Sequence, residues 1–232
     1  GLECKAHFEG RPYDTIRAVA VMFPLKSGIW VRDSSGMTKV SDLKGKRVAS
    51  GYTAQKTLVP VLEGTLAAGG LTMDDVEEVP VQSVFAGADA FSAGEIDSFL
   101  FAVGSGKSRE VDAAVGGIRA LDFDDTPENL AALRKYFPAG YIYLQEPSPA
   151  APGVDAPTHL VAYPAVLFTS TNVPDDVVYE LVKVMANNKD GMAAIYPNFR
   201  EFSAEKMVAD LAPLKYHPGA IKYYKEQGLW KE

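Results

Sequence analysis

The stretch SDLKGKRVASGYTAQKTLVPVLEGTLAA, Ser41 to Ala68, constrains the fold more than any other, because its hydrophobic period changes partway along. Lys46 to Ser50 pass from charged to apolar residues and stop at Gly51, which reads as a strand reaching a turn. Leu58, Val61, Leu62 and Leu66 then recur at helical spacing. The spacing therefore predicts a helix directly after the turn, with Tyr52, Thr53, Ala54 and Gln55 at the carboxyl end of the strand. A helix start there would offer free amides and the positive end of its dipole to a carboxylate or phosphate, at the place where open α/β sheets bind ligands. The same pattern also describes an ordinary βα connection. Pro60, inside the helical run, is expected to kink it.

More strand and helix alternation follows. Val76–Val81 reads as a strand, Val84–Phe91 as a short helix ended by Gly94, and Ile96–Val103 as a strongly apolar strand leading into the turn Gly104-Ser105-Gly106. Gly117–Phe123 is a further strand-like run, and Thr126-Pro127-Glu128 is a helix start with Pro at the first helical position. This alternation is that of a parallel α/β unit. Upstream, Arg17–Phe23 and Gly28–Arg32 read as two short strands separated by Pro24. Downstream, Glu146–Pro157 is a proline-rich surface connection and His159–Ser170 a long apolar strand able to join two lobes. From Asn172 onward the reading is helical, with starts at Val173-Pro174-Asp175-Asp176, at Ser203-Ala204-Glu205-Lys206 and at His217-Pro218-Gly219-Ala220. The expected organisation is a discontinuous first lobe, 1–43 plus 162–232, around a continuous second lobe, 44–161.

Composition limits what such a chain does. Of 232 residues, 47% are hydrophobic, enough for a core, and 23 Lys plus Arg against 30 Asp plus Glu give a net charge of −7 without a basic stripe. That argues against nucleic acid as a partner. No apolar run approaches the ~18 residues of a membrane span. The single cysteine, Cys4, leaves no intrachain disulfide and no cysteine-built zinc site, and Glu3 beside it does not suit a lipidation site. His7, His159 and His217 are far apart in sequence, so no metal cofactor is expected. Gly104-Ser105-Gly106-Lys107-Ser108 lacks the upstream glycine of a phosphate-binding P-loop, Phe101 standing there instead. The paired acids Asp74-Asp75, Glu77-Glu78, Asp124-Asp125 and Asp175-Asp176 sit at turns and helix starts and read as caps. His217 reads as a helix-start residue bonded to its own loop.

Several segments together carry a family resemblance. Arg17-Ala18-Val19 with Phe23-Pro24, Val40-Ser41-Asp42-Leu43-Lys44-Gly45-Lys46-Arg47-Val48, Ala93-Gly94-Glu95-Ile96-Asp97 and Tyr216-His217-Pro218-Gly219-Ala220 with Tyr223-Tyr224 resemble the TAXI family, the extracytoplasmic receptors of tripartite ATP-independent periplasmic (TRAP) transporters. The resemblance implies an α/β, two-lobed type II periplasmic binding fold and a non-enzymatic role. That role is to capture a small carboxylate, such as a glutamate-like amino acid, a 2-oxo acid or a dicarboxylate, in the periplasm and deliver it to TRAP permease subunits. Family members usually begin with a Gly-rich strand-to-helix segment that has no counterpart here, so the first lobe is expected to be incomplete and to leave apolar helix surface uncovered or engaged in a dimer. The candidate ligand-binding residues are Tyr52, Thr53, Ala54, Gln55, Phe101, Gly104, Ser105 and Tyr163, with Lys56 and Lys107 as nearby cations. The alternatives are an enzyme or a ligand-sensing domain on the same two-lobed fold.

Overall fold

The computed structural model describes residues 14–230. Cys4 and His7, weighed above, lie outside the described residues. The chain divides into two compact units, one of Gly1–Pro24 with Pro164–Glu232 and one of Leu25–Tyr163. Residues 25–43, expected in the first lobe, belong instead to the second unit. The reason is hydrogen bonding: the strand through Gly28 does not stop at Pro24 but runs from Ile16 to Arg32 as one element, β1, and its later half pairs with strands of the second unit. Pro24, which lacks an N–H, was expected to separate two strands. It is accommodated within a single extended run.

The second unit is a mixed sheet with helices on it. Its strands are β2 (Arg47–Ser50), β3 (Glu77–Pro80), β4 (Ser98–Ala102), β5 (Ile118–Ala120), β6 (Tyr141–Gln145) and the start of β7 (Thr158–Ser170), and the strand order is β3-β2-β4-β1-β7-β6 with β5 paired to β1. β2 is parallel to β3 and β4, as the alternation predicts, but β1 runs antiparallel to β4, with Gly28 opposite Phe101 and Trp30 opposite Phe99. The parallel expectation therefore holds only for three strands. β6 has no counterpart in the sequence reading; it pairs antiparallel with β7, Tyr141 facing Ala162. Buried side chains from both faces, among them Trp30, Tyr52, Leu62, Leu66, Phe91, Phe99 and Leu100, make one core.

Four helices belong to this unit: α1 (Val59–Ala68), α2 (Val84–Ala93), α3 (Gly106–Val115) and α4 (Pro127–Tyr136). Ser83, Ser105 and Thr126 cap α2, α3 and α4, each side-chain oxygen accepting a backbone N–H of the first turn. Gly94 and Gly116 end α2 and α3 in the left-handed conformation. Pro60 does not kink α1. It stands in the first turn, where its missing N–H would have no helical partner in any case.

The first unit is built on the early part of β1 and the late part of β7, where the Thr171 N–H donates to the Thr15 carbonyl (2.8 Å). On it lie α5 (Asp175–Ala186), α6 (Lys189–Ile195) and α7 (Pro218–Glu226). The helix expected from Ser203 is only a single 3-10 turn, Ala204–Lys206, because the segment after it is fixed by strand-like contacts instead: Val21 N–H donates to Met207 O (2.9 Å) and Ala18 N–H to Lys215 O (2.8 Å). Ala18, Val19, Val178, Val182, Phe202, Ala220 and Tyr224 form this unit's own core. α5 carries a second apolar line, Val177, Leu181 and Val184, which is 42–56% exposed.

The His217-Pro218-Gly219-Ala220 segment explains itself in three dimensions. His217 is buried; its Nδ1 accepts the Gly219 N–H (3.2 Å) and its Nε2 donates to the Val173 carbonyl (3.0 Å), tying the start of α7 to the residues before α5. Gly219 permits the approach, since a Cβ there would lie 2.1 Å from the Asp175 carbonyl oxygen. The local-loop reading of His217 agrees with this geometry.

Candidate functional site

The strand-to-helix turn after β2 differs from its sequence reading in a way that changes its chemistry. Gly51 has φ 76° and Tyr52 φ 38°, and a bulky residue in that region is a genuine conformational outlier. The strain turns the Tyr52 ring inward, fully buried, with its hydroxyl donating to the Ala49 carbonyl (3.1 Å). Burial pushes the phenol well above its ordinary pKa, so it stays neutral. Tyr52 is a core residue that shapes the turn and offers nothing to a solute.

The amides expected to be free are all engaged. Tyr52 N–H donates to Ser50 O (2.8 Å), Thr53 N–H to Val81 O (3.2 Å), Ala54 N–H to Gln82 O (2.9 Å) and Gln55 N–H to Tyr52 O (2.7 Å). No helix begins there either: a 3-10 turn, Lys56–Leu58, intervenes and α1 starts only at Val59. The backbone anion cradle at Gly51–Gln55 is therefore corrected. The physical reason is that an open βα turn beside a neighbouring strand end finds backbone acceptors close at hand and uses them. Gln55 is likewise occupied, its Oε1 accepting the Val84 N–H (2.9 Å) at the start of α2.

These bonds, with Val81 N–H to Ser50 O (2.9 Å), fasten the 50–55 turn to the 81–85 segment. The result is one ledge at the carboxyl ends of the parallel strands, on which Thr53, Ala54 and Lys56 are exposed. Phe101 does not open onto it. The ring is only 5% exposed and stands edge-on under Phe85 (centroids 5.2 Å apart, planes at 89°), which is 55% exposed. Phe85 is the residue the sequence reading missed. A signal existed: Gly87, Ala88 and Phe91 make the buried stripe of α2, and Phe85 lies roughly 100° off it.

Gly104 and Ser105 follow β4. Gly104 has φ 70°, and a Cβ there would meet the Ala150 carbonyl oxygen at 2.6 Å, so the position is one of close backbone approach. Ser105 Oγ caps α3, accepting the Ser108 N–H (2.9 Å) and bonding the Ser108 hydroxyl (2.7 Å). The Ser108 N–H is thus taken and the Arg109 N–H goes to the Ser105 carbonyl (3.4 Å), so that only the Gly106 and Lys107 amides, at the first two positions of α3, are left by helix geometry as donors at this end of the sheet. Lys107 is not a free cation: it pairs with Asp89 (2.6 Å) and Glu110 (2.7 Å), which raise its pKa further.

Tyr163 is not joined to the ledge by any of these contacts. It packs edge-on against Phe137 (5.0 Å, 87°), and burial pushes its phenol up to about 12. Three buried serine hydroxyls, of Ser27, Ser50 and Ser98, lack partners among the described residues, but strand register puts them on the sheet face opposite Phe99 and Phe101. Among the described residues no group of three His, Cys, Asp or Glu side chains is placed to hold a metal ion.

At the other end of the sheet, charges are structural. Arg47 clasps Asp97 (2.7 Å) and the Glu95 carbonyl (2.6 Å), holding the Asp97 carboxyl below the usual range. Lys39 bridges Asp122 (2.7 Å) and Asp124 (2.9 Å), while the His159 N–H also donates to Asp122 (2.8 Å).

Solved structures share the fold. A periplasmic sulfonate-binding protein SsuA of a putative sulfonate ABC transporter from Methylobacillus flagellatus KT superposes with a TM-score of 0.51 at 15% identity, over 94% of this chain and 71% of its own. A structure described as a periplasmic transporter gives 0.53 at 13% identity, over 99% and 70%. The mixed α/β fold is thus one that these solved periplasmic proteins share. The family model for NMT1-like proteins matches residues 1–228, and the chain belongs to the NMT1-like family.

Proposed function

We propose that this chain is the solute-binding component of a periplasmic uptake system, a receptor that holds a small ligand and presents it to membrane transport subunits, and that it catalyses no reaction. The observation that carries the reading is the shared architecture, over 94% and 99% of the chain, with proteins described as a periplasmic sulfonate-binding protein and a periplasmic transporter. The ledge supports it chemically. It combines exposed apolar surface with a few neutral donors at the strand ends, which is the composition of a small-molecule site.

The solute is a small oxyanion. Thr53 Oγ1, the leading amides of α3 and the exposed Lys56 amine are its donors, in place of the turn amides that the backbone consumes. Two finer forms are each favoured by an observation. The resemblance to TAXI receptors supports a carboxylate delivered to a TRAP permease, and the sulfonate-binding relative supports a sulfonate delivered to an ABC system.

Isothermal calorimetry with glutamate, 2-oxoglutarate, succinate and methanesulfonate tests the class. Binding by one group and weakening of tenfold or more in Thr53→Ala with Lys56→Ala is the expected result. Steady turnover of any of these compounds would overturn the receptor reading in favour of an enzyme.

A further inference from the structure

Phe85 is exposed in a way that distinguishes it from the scattered apolar residues every surface carries. Its ring is the outer end of an aromatic row that begins in the core: Phe91 packs on Phe99 (4.7 Å), Phe99 lies 6.3 Å from Phe101, and Phe101 meets Phe85 edge-on at 5.2 Å. The inner members are 0–5% exposed, so the outer ring rests on a base that does not move. The backbone beneath it is equally fixed, because Gln55 holds the Val84 N–H and Ala54 N–H holds the Gln82 carbonyl.

Thr53 and Ala54 are the exposed side chains of the 50–55 turn, which bonds the 81–84 segment leading into Phe85, while the strained Tyr52 turns its own ring into the core. A flat apolar surface and a hydroxyl donor thus share one ledge, at the strand ends where open α/β sheets take their ligands. Aromatic rings held edge-on by a neighbour accept a second ring readily, and such pairs contribute beyond the area they bury.

We propose that Phe85 contacts the solute, and that the solute therefore carries a flat apolar group, aryl or similarly planar, next to its oxyanion. This rests on the receptor reading and narrows it: very small aliphatic acids would use the donors of the ledge and leave the ring bare.

The test is calorimetry on the full chain with probes matched in charge: acetate against benzoate, and methanesulfonate against benzenesulfonate. The aryl member of at least one pair binds tenfold or more tightly than its methyl partner, and Phe85→Ala removes that preference while leaving the methyl probe unchanged. Phe85→Leu, which keeps apolar bulk on Phe101 but not the flat ring, loses the preference as well, and Phe85→Tyr keeps it. Equal affinity within both pairs, or an aryl preference untouched in Phe85→Ala, overturns this inference while the binding itself leaves the receptor reading standing. No heat from any of the four probes overturns the inference and the oxyanion reading together.

Discussion

Substituting Gly219 with Ala perturbs the start of α7 by one methyl group at a place where the backbone cannot yield cheaply. The new Cβ would stand 2.1 Å from the Asp175 carbonyl oxygen, 2.9 Å from its carbon and 3.0 Å from its Cα. A carbon reaches ordinary contact with an oxygen at about 3.3 Å, so α5 and α7 must part by about 1.2 Å. Separation of that size forfeits a quarter to a half of the dispersion energy across the interface, where Val178 and Val182 share a core with Ala220, Tyr223 and Tyr224. Overpacking in such a site costs about 1–3 kcal/mol, and loosening the His217 clamp adds about 1 kcal/mol. Against this, Ala in place of Gly stabilises by roughly 0.4–1 kcal/mol through the unfolded chain. The net expectation is a loss of about 1–3.5 kcal/mol, confined to the first unit.

Urea unfolding followed by tryptophan emission reads it, because Trp230 lies in the first unit and packs on Tyr216 (5.5 Å) while Trp30 is buried in the second. The midpoint of the first-unit transition falls by roughly 1–2 M, taking 1–3 kcal/mol per molar for a small unit. Hydrogen exchange accelerates in 175–186 and 218–226 but not in 98–115. Gly106→Ala is the control: nothing lies within 4 Å of the added Cβ, so it is neutral or slightly stabilising. A Gly219→Ala protein with an unchanged midpoint, or one destabilised no more than Gly106→Ala, would refute the close-approach argument.

His217→Ala removes the acceptor of the Gly219 N–H and the donor to Val173, leaving both backbone groups unpaired in the interior, and lowers first-unit stability by about 2–4 kcal/mol in the same urea assay. Tyr224→Phe strips the buried Val19 carbonyl of its 2.6 Å partner and costs about 1–3 kcal/mol. Gln55→Ala frees the Val84 N–H, and exchange at the first turn of α2 quickens while the rest of the second unit keeps its protection. Stability also depends on pH through Asp97, held below its ordinary pKa by Arg47, and through Asp42, held down by the Lys39 and Thr38 amides. A depressed folded pKa contributes stability that is present above the unfolded value and lost as pH falls through the folded one. Thermal midpoints therefore drop below about pH 4, and Asp97→Asn flattens part of that slope.

Periodicity and capping residues determined a good deal without any contact between distant parts of the chain. The strand ending at Ser50, the helix started by Thr126, and the β–α alternation of the second unit are all local consequences of side-chain spacing and of donors left free at helix ends. The resemblance in DLKGKRV and in the Tyr216–Ala220 segment pointed to the same binding-protein architecture that the solved relatives share. Only the tertiary structure decided the rest. Whether Pro24 breaks a strand, where the lobe boundary falls, and whether the segment after Ser203 coils as a helix all depend on which backbone groups find partners far away in sequence. The candidate site turned on the same question. Thr53, Ala54 and Gln55 were legible as turn residues, but their amides bind or solvate according to whether Val81 and Gln82 present carbonyls nearby, and a strand-to-helix pattern does not record what the next strand does. Phe85 became visible for the complementary reason: a residue off the buried stripe of its helix is ordinary surface until the fold sets Phe101 beneath it and a strained turn beside it.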